Sequence, residues 1–171
     1  MSYLEAIEKS QILTLLKDHN PFVAGTLPLG IAIPDSDIDL ICCAPDLEAF
    51  ASLVHSHFGT AENYKSYVTD IRGIESQICQ FKIHGFEFEV FAQNTPTEEQ
   101  YAVLHFKVEK KLLELGGEEA RQAIYDLKLQ GIKTEPAFAE YFKIEGDPFD
   151  ELAKLSRLND EDLKAYFNSL Q

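Results

Sequence analysis

The sequence predicts an α/β protein, with a mixed β-sheet and flanking helices followed by a C-terminal helical region. Short apolar segments rich in β-branched and aromatic residues recur over residues 1–94, each bounded by turn residues, which is typical of strands. From Thr95 onward, apolar residues recur at three- and four-residue spacing, which is typical of helices. We therefore predict a sheet domain at residues 1–94 and a helical region at residues 95–171 packed on it.

Capping and turn residues mark the N-terminal elements. Ser2 and Glu5 have the spacing of a capping box and predict the start of a helix. Asp46 is placed to cap a second helix after an apolar strand. The predicted elements are a helix over residues 2–17, a strand over 22–24, at most one helical turn over 27–36, a strand over 37–43 and a helix over 46–58.

A β-hairpin is predicted over residues 77–91, with a two-residue turn at its centre and a further strand over residues 64–71 before it. The turn sets the register, so that one face of the hairpin is apolar and the other is polar. The predicted cross-strand pairs are Ile83–Phe86, Phe81–Phe88 and Cys79–Val90 on the first face, and Lys82–Glu87 and Gln80–Glu89 on the second. Glu89 therefore has no cation beside it, unlike Glu87, and is the better candidate for a metal ligand.

Start and stop signals divide the C-terminal region into several helices. Proline, acidic and hydroxyl residues open these helices, and glycines end them. The predicted helices run from Thr95 to the pair Gly116-Gly117, over residues 118–130, from Thr134 to about residue 142, from Asp147, and from Asn159 with Leu163, Phe167 and Leu170 on its apolar face.

Two aspartates stand at the entrance of the apolar strand at residues 37–43. Asp37 and Asp39 lie on the same face of that strand, about 6–7 Å apart, because successive strand residues point to opposite faces. Like charges this close repel unless one is protonated or a cation lies between them. Mg²⁺ or Mn²⁺ is the expected cation, because these ions favour carboxylate and phosphate oxygens. A solvated strand edge is the alternative for the aspartates, and an exposed hairpin face is the alternative for Glu89.

The net charge of −14 limits the partners of the protein. Acidic residues outnumber basic ones by 29 to 15, so the chain lacks the cationic face that duplex nucleic acid requires. A small anionic substrate carried by a metal is compatible with this charge, because the metal is itself positive. Three cysteines without zinc or disulfide spacing, no signal peptide and no membrane-length apolar run predict a cytoplasmic protein. The sequence does not indicate an oligomeric state.

The pair Gly25-Thr26, followed about ten residues later by Asp37-Ile38-Asp39 and then by a carboxylate on a later strand, is similar to the motif of the nucleotidyltransferase superfamily of the DNA-polymerase-β type. Residues 34–40 are close to what the minimal nucleotidyltransferases carry. Later segments resemble an uncharacterised bacterial family placed near this superfamily. These segments are residues 88–91, 112–117, 133–138 and 146–148.

The resemblance implies a nucleotidyltransferase-like sheet and three acidic residues that are both catalytic and metal-ligating, namely Asp37, Asp39 and Glu89. With Mg²⁺ or Mn²⁺ as cofactor, such enzymes move a nucleoside monophosphate from a nucleoside triphosphate (NTP) to a hydroxyl of a small molecule or protein. Glu89 would take the place of the third acid, which helps the attacking hydroxyl. We expect the three acids to converge on one pocket beside a glycine bend.

The resemblance also implies that Gly25, Thr26 and Ser36 bind the nucleotide, with the backbone at Gly25 close to the triphosphate. Thr26 stands where a serine is usual, and a glutamate replaces the third aspartate. Residues 27–33 contain no cation, although the minimal enzymes often carry basic residues in this loop.

Three interpretations of the uncharged loop stay open. Lys65, Arg72 or Lys133 supplies the positive charge from elsewhere, the substrate differs, or the site is inactive. In the last case the chain is a catalytically silent nucleotidyltransferase-fold protein that acts as a binding or regulatory module. Substituting the two aspartates by asparagine separates this hypothesis from the enzyme, because only the enzyme depends on a divalent metal.

A second group of potential ligands lies in the helical region. His105 and Glu109 share a helical face at i,i+4 spacing, and with Glu99 they suggest a metal site. A salt-linked helix surface is the simpler interpretation, because such pairs are common on exposed helix faces.

Overall fold

The computed structural model describes residues 1–168, so that the predicted apolar residue Leu170 lies outside the described residues. The chain forms two compact units. The first comprises Met1–Leu27 and Ser36–Gln100, and the second comprises Pro28–Asp35 and the chain from Tyr101 onward. Across residues 1–168, no helix has both the length and the apolar character needed to cross a membrane.

The first unit contains a mixed sheet of five strands in the order β1-β2-β5-β4-β3. The strands are β1 (Phe22–Ala24), β2 (Ile38–Cys43), β3 (Glu62–Ile71), β4 (Ile74–Ile83) and β5 (Phe86–Gln93). β2 pairs with β5 in parallel, and the other neighbouring strands are antiparallel. The predicted α/β class with a mixed sheet is confirmed.

The β4–β5 hairpin has the predicted register. Every predicted pair occurs, from Ile83 opposite Phe86 at the turn to Cys79 opposite Val90. The turn residues His84 and Gly85 both have positive φ, at 54° and 84°. This is the conformation that the two central residues of a type I′ turn require, so the local turn sets the pairing.

Helices cover one face of this sheet. They are α1 (Tyr3–Ser10), α2 (Ile12–Leu15) and α4 (Leu47–Phe58), whereas α3 (Thr26–Leu29) is the single helical turn expected after β1. Apolar side chains of the sheet, including Leu40, Phe81 and Val90, form one buried core with residues of these helices. The opposite face of the sheet carries Asp39 and Glu89, and we call it the acidic face.

The prediction of one continuous helix over residues 2–17 is wrong. The capping box of Ser2 and Glu5 is present, but Gln11 adopts a left-handed conformation with φ of 55° and separates α1 from α2. The hydroxyl of Ser10 donates to the Ile7 carbonyl at 2.8 Å and accepts from the Ile12 N–H at 3.4 Å. These bonds compete with the helical backbone pattern and favour the break.

The second unit is helical. Its helices are α5 (Tyr101–Leu129), α6 (Thr134–Phe142), α7 (Pro148–Leu155) and α8 (Asp160–Asn168). The predicted stop at Gly116-Gly117 appears as a break within α5, where Gly117 has φ of 63°. Asp147 caps α7 as expected, accepting from the Asp150 N–H. Leu29 and Ile31 of the Pro28–Asp35 segment join the apolar core of these helices.

The predicted helix start at Thr95 is wrong. A 3-10 turn (Thr97–Glu99) precedes α5, which begins only at Tyr101. The Thr97 hydroxyl donates to the Asn20 carbonyl at 2.8 Å. The Gln100 amide donates to the Cys42 carbonyl at 2.8 Å. These long-range bonds within the first unit hold the segment and outweigh its local capping signal.

The interpretation of His105 and Glu109 as an exposed helix face is also wrong. Both side chains are buried, each with 4% of its surface exposed. His105 donates from Nε2 to the Phe149 carbonyl at 2.8 Å, and its Nδ1 lies 3.3 Å from Glu135 Oε1. α6 and α7 therefore cover this part of α5, which the spacing within one helix does not indicate.

Candidate active site

The candidate site is built where two neighbouring parallel strands carry carboxylates at matching positions. Asp39 of β2 and Glu89 of β5 are register partners, so their side chains lie on the same face of the sheet. Asp37 directly precedes β2, one residue before its first strand residue. The flanking positions Leu40 and Val90 are fully buried on the opposite face, which fixes the direction of both carboxylates.

A row of register partners crosses the acidic face of the sheet. Starting from β1, it contains Ala24, Asp39, Glu89, Gln80 and Lys65, each paired with the next. Cross-strand partners share a face, and neighbouring strands lie about 4.8 Å apart. The row therefore places two carboxylates, an amide and an ammonium group in order along one line.

Gly25, which follows β1, lies directly against Asp39. Its φ is +77°, and a Cβ atom at this position would lie 1.9 Å from Asp39 Oδ2. A side chain would therefore displace the carboxylate, and the left-handed backbone is itself unfavourable for other residues. Glycine at this position allows the backbone to approach the carboxylate group of Asp39.

The loop between Gly25 and the aspartates is closed by a hydrogen bond. The hydroxyl of Thr26 donates to Ser36 Oγ at 3.1 Å, although the two residues are ten positions apart. Ser36 directly precedes Asp37 in the chain. The three residues expected to bind the nucleotide, Gly25, Thr26 and Ser36, thus border the two aspartates.

Glu89 is half-buried, and its pKa lies above the ordinary value of a glutamate. Burial raises the pKa of Glu89, and the negative charge of Asp37 raises it further. A hydrogen bond from Gln80 Nε2 to Glu89 Oε2, at 2.8 Å, acts in the opposite direction. A cation beside Glu89 and Asp37 would offset the unfavourable effect of the Asp37 charge on the ionised Glu89.

The carboxylates do not form a preassembled three-ligand cluster. Among residues 1–168, no group of three or more histidine, cysteine, aspartate or glutamate side chains is arranged to hold a metal ion. The carboxylate of Asp39 lies against Gly25, whereas that of Glu89 is bonded to Gln80 on the other side. The donors are nevertheless hard oxygens on one face, and Mg²⁺ usually takes only one or two protein carboxylates together with water and phosphate oxygens.

The sequence did not indicate that Gln80 holds Glu89. The predicted register places Gln80 opposite Glu89, and the prediction for Glu89 rests on the lack of a cation beside it. An amide directly across an antiparallel pair from a carboxylate is a hydrogen-bond donor to it, and this was the available signal.

Comparison with known proteins identifies both a family and a fold. A family model described as Domain of unknown function (DUF4269) matches residues 5–155. No curated protein sequence matches the chain significantly.

Three solved structures illustrate the likeness in fold. A mutant of the Cid1 poly (U) polymerase bound to MgATP is 12% identical, with a TM-score of 0.54 over 88% of this chain and 47% of that chain. A cytoplasmic RNA terminal U-transferase is 17% identical, with a TM-score of 0.52 over 85% and 44%. The polymerase core of TRAMP, an RNA surveillance complex, is 12% identical, with a TM-score of 0.50 over 95% and 54%.

The chain spans about half the length of these three structures. At such low identity the likeness concerns the fold alone. The five-stranded mixed sheet with its flanking helices and following helical region is nucleotidyltransferase-like, and this part of the prediction is confirmed.

Proposed function

We propose that this chain, which belongs to the DUF4269 family, is a metal-dependent nucleotidyltransferase that moves a nucleoside monophosphate from an NTP to a hydroxyl acceptor. The observation that carries this proposal is the pairing of Asp39 with Glu89 on adjacent parallel strands, with Gly25 against Asp39. The fold is nucleotidyltransferase-like, and the glycine and the two carboxylates follow one another along the chain in the order of the superfamily motif.

The nucleotide lies on the β1 side of the carboxylates. There the positive φ of Gly25 and its lack of a side chain allow phosphate oxygens to approach the backbone. Thr26 and Ser36, joined through their hydroxyls, hold the loop closed beside Asp37. The solved structure of Cid1 with MgATP supports an NTP as the donor substrate.

Asp37 and Asp39 would hold a divalent cation, with the phosphate oxygens of the nucleotide completing its ligands. When bound, such a cation stabilises negative charge on the attacking and leaving oxygens. Glu89 lies beside Asp39 on β5, which is on the far side of β2 from β1. There its carboxylate accepts a hydrogen bond from the attacking hydroxyl. Gln80 keeps the Glu89 carboxylate in place through the bond at 2.8 Å.

A catalytically silent module with the same fold is the second candidate function. Two observations favour it, namely the uncharged loop at residues 27–33 and the missing three-ligand cluster within residues 1–168. A silent module binds neither a divalent metal nor an NTP at these residues.

Metal-dependent NTP binding distinguishes the two functions. Thermal unfolding is measured with Mn²⁺ and each of the four NTPs, for the wild type, Asp37→Asn and Asp39→Asn. The exposed Asp18→Asn variant is the matched control in the same unit. We expect Mn²⁺ with an NTP to stabilise the wild type and the control, by about 2.7 kcal/mol at 100 times the dissociation constant, and not the two variants. A wild type that responds to no combination supports the silent module.

A further inference from the structure

The row of register partners continues beyond Glu89 to a cation. Gln80 of β4 pairs with Glu89 and also with Lys65 of β3, so Lys65 lies two strands from Glu89 on the acidic face. The strand spacing places their Cα atoms about 9.6 Å apart. The four-carbon stem of lysine lets its ammonium group cover much of this distance.

Lys65 is exposed, so its ammonium group is accessible to a ligand. In the described part of the chain, its ammonium group makes no hydrogen bond or ion pair. Its cross-strand partner is the neutral Gln80, whereas Lys82 on the same face stands between Glu87 and Glu62. In a chain with a net charge of −14, an accessible ammonium group in line with the carboxylates of the proposed site can bind an anionic group of a substrate.

The register also separates Lys65 from one other cation suggested by the sequence. Arg72 follows the far end of β3, seven residues and about 23 Å along the strand direction from Lys65. Arg72 is thus too distant from the row of carboxylates to bind a group that reaches Glu89.

The order of residues in the row indicates which of the two substrates lies near Lys65. Gly25 and Ser36 border the carboxylates on the β1 side, where the donor nucleotide lies under the proposed function. Glu89 faces the acceptor hydroxyl, and the strands beyond it carry Gln80 and then Lys65. An acceptor whose hydroxyl lies at Glu89 therefore extends towards Lys65.

We propose that Lys65 binds a phosphate group of the hydroxyl acceptor, at roughly 10 Å from the reacting hydroxyl. This inference rests on the proposed nucleotidyltransferase activity. The excess of acidic residues disfavours a long polyanion, so the acceptor is of mononucleotide size, and lysine provides a point charge suited to phosphate.

AMP and adenosine are suitable probes, because both carry the 2′- and 3′-hydroxyls of the ribose, and AMP has a phosphate where adenosine has its 5′-hydroxyl. Their affinities are measured in the presence of Mn²⁺ and a non-hydrolysable ATP analogue, for the wild type, Lys65→Met and the control Lys9→Met, an exposed lysine of α1. We expect Lys65→Met to lower the affinity for AMP about fivefold or more, which corresponds to a loss of about 1 kcal/mol of binding free energy. Adenosine binding and the Lys9 variant should be unaffected.

Carbon-13 NMR of methylated lysines gives a second readout that does not depend on turnover. AMP, but not adenosine, should shift the Lys65 signal. A hexa-adenylate that binds tighter than AMP contradicts an acceptor of mononucleotide size, even where Lys65→Met weakens its binding. Equal AMP affinity in the wild type and Lys65→Met, or no AMP binding at millimolar concentration, overturns the inference.

The two proposals fail in different ways. If the wild type binds AMP through Lys65 but shows no response to Mn²⁺ and NTP, the nucleotidyltransferase activity is contradicted. If Mn²⁺ and NTP stabilise both the wild type and Lys65→Met, but the two proteins have the same affinity for AMP, only the acceptor inference is contradicted.

Discussion

Gln80 and Glu89 face each other across the β4–β5 hairpin, and the Gln80 amide donates to the Glu89 carboxylate at 2.8 Å. This bond connects a neutral side chain to the carboxylate that lies nearest the expected acceptor. It favours the ionised form of Glu89 against burial and against the charge of Asp37, both of which raise its pKa.

The first prediction concerns this bond. Gln80→Met keeps the length of the side chain and removes the donor, so the pKa of Glu89 should rise. Carbon-13 NMR titration of the glutamate carboxyl groups measures the change directly and needs no metal. We also expect Mn²⁺ affinity to fall about fivefold, which corresponds to a hydrogen bond of about 1 kcal/mol. Gln130→Met, at an exposed position in the second unit, is the control. An unchanged titration of Glu89 contradicts the assigned role of Gln80.

The second prediction concerns two glycines with nearly the same backbone conformation. Gly25 and Gly73 have φ of +77° and +80°, but only Gly25 has a neighbour that an added Cβ would meet. Alanine at either position incurs the cost of a left-handed residue, about 1–2 kcal/mol. Gly25→Ala must in addition move the carboxylate of Asp39, so it should destabilise the protein more and abolish Mn²⁺ and NTP binding.

The Gly73→Ala variant is the matched control for the backbone. It should lose stability in urea unfolding while keeping the Mn²⁺ and NTP response of the wild type. If both alanine variants keep that response, the close approach of Gly25 to Asp39 has no part in binding.

Much of the first unit could be predicted because its signals are local. The turn at His84-Gly85 sets the register of the whole β4–β5 hairpin, including the position of Gln80 opposite Glu89. The break of the first helix at Gln11 escaped prediction, because the hydroxyl bonds of Ser10 compete with an otherwise regular helical pattern. The spacing of apolar residues therefore predicts that a helix or strand exists, but it does not predict where a helix breaks.

The pairing at the candidate site could not be derived from local pattern. Asp39 and Glu89 are fifty residues apart, and a parallel pairing has no turn that sets its register. Only the resemblance to the nucleotidyltransferase motif implied that these acids meet. The burial of His105 and Glu109 was missed for a related reason, since the groups that cover His105 come from α6 and α7.

The third prediction concerns Glu109, which is buried in the second unit with its Oε1 lacking a hydrogen-bond partner among the described residues. Burial raises its pKa well above the usual value, the charge of Glu135 adds to this, and Lys128 opposes it. The folded state therefore keeps the proton at a pH where the unfolded state has lost it. Stability contributed by the protonated form is complete at low pH and declines as the pH rises above the unfolded pKa.

Glu109→Gln removes this titration and keeps the size of the side chain. In the pH window above about 4.5, where only the unfolded chain is ionised at this residue, the free energy of unfolding of the wild type should fall by about 1.4 kcal/mol per pH unit relative to the variant. Urea unfolding at a series of pH values measures the difference, and Glu114→Gln, at an exposed position of α5, is the control. A buried neutral acid loses its proton on unfolding, so a raised pKa must make the free energy of unfolding of the wild type depend more steeply on pH than that of the variant. If the two free energies change with pH in parallel, the pKa of Glu109 is not raised in the folded state.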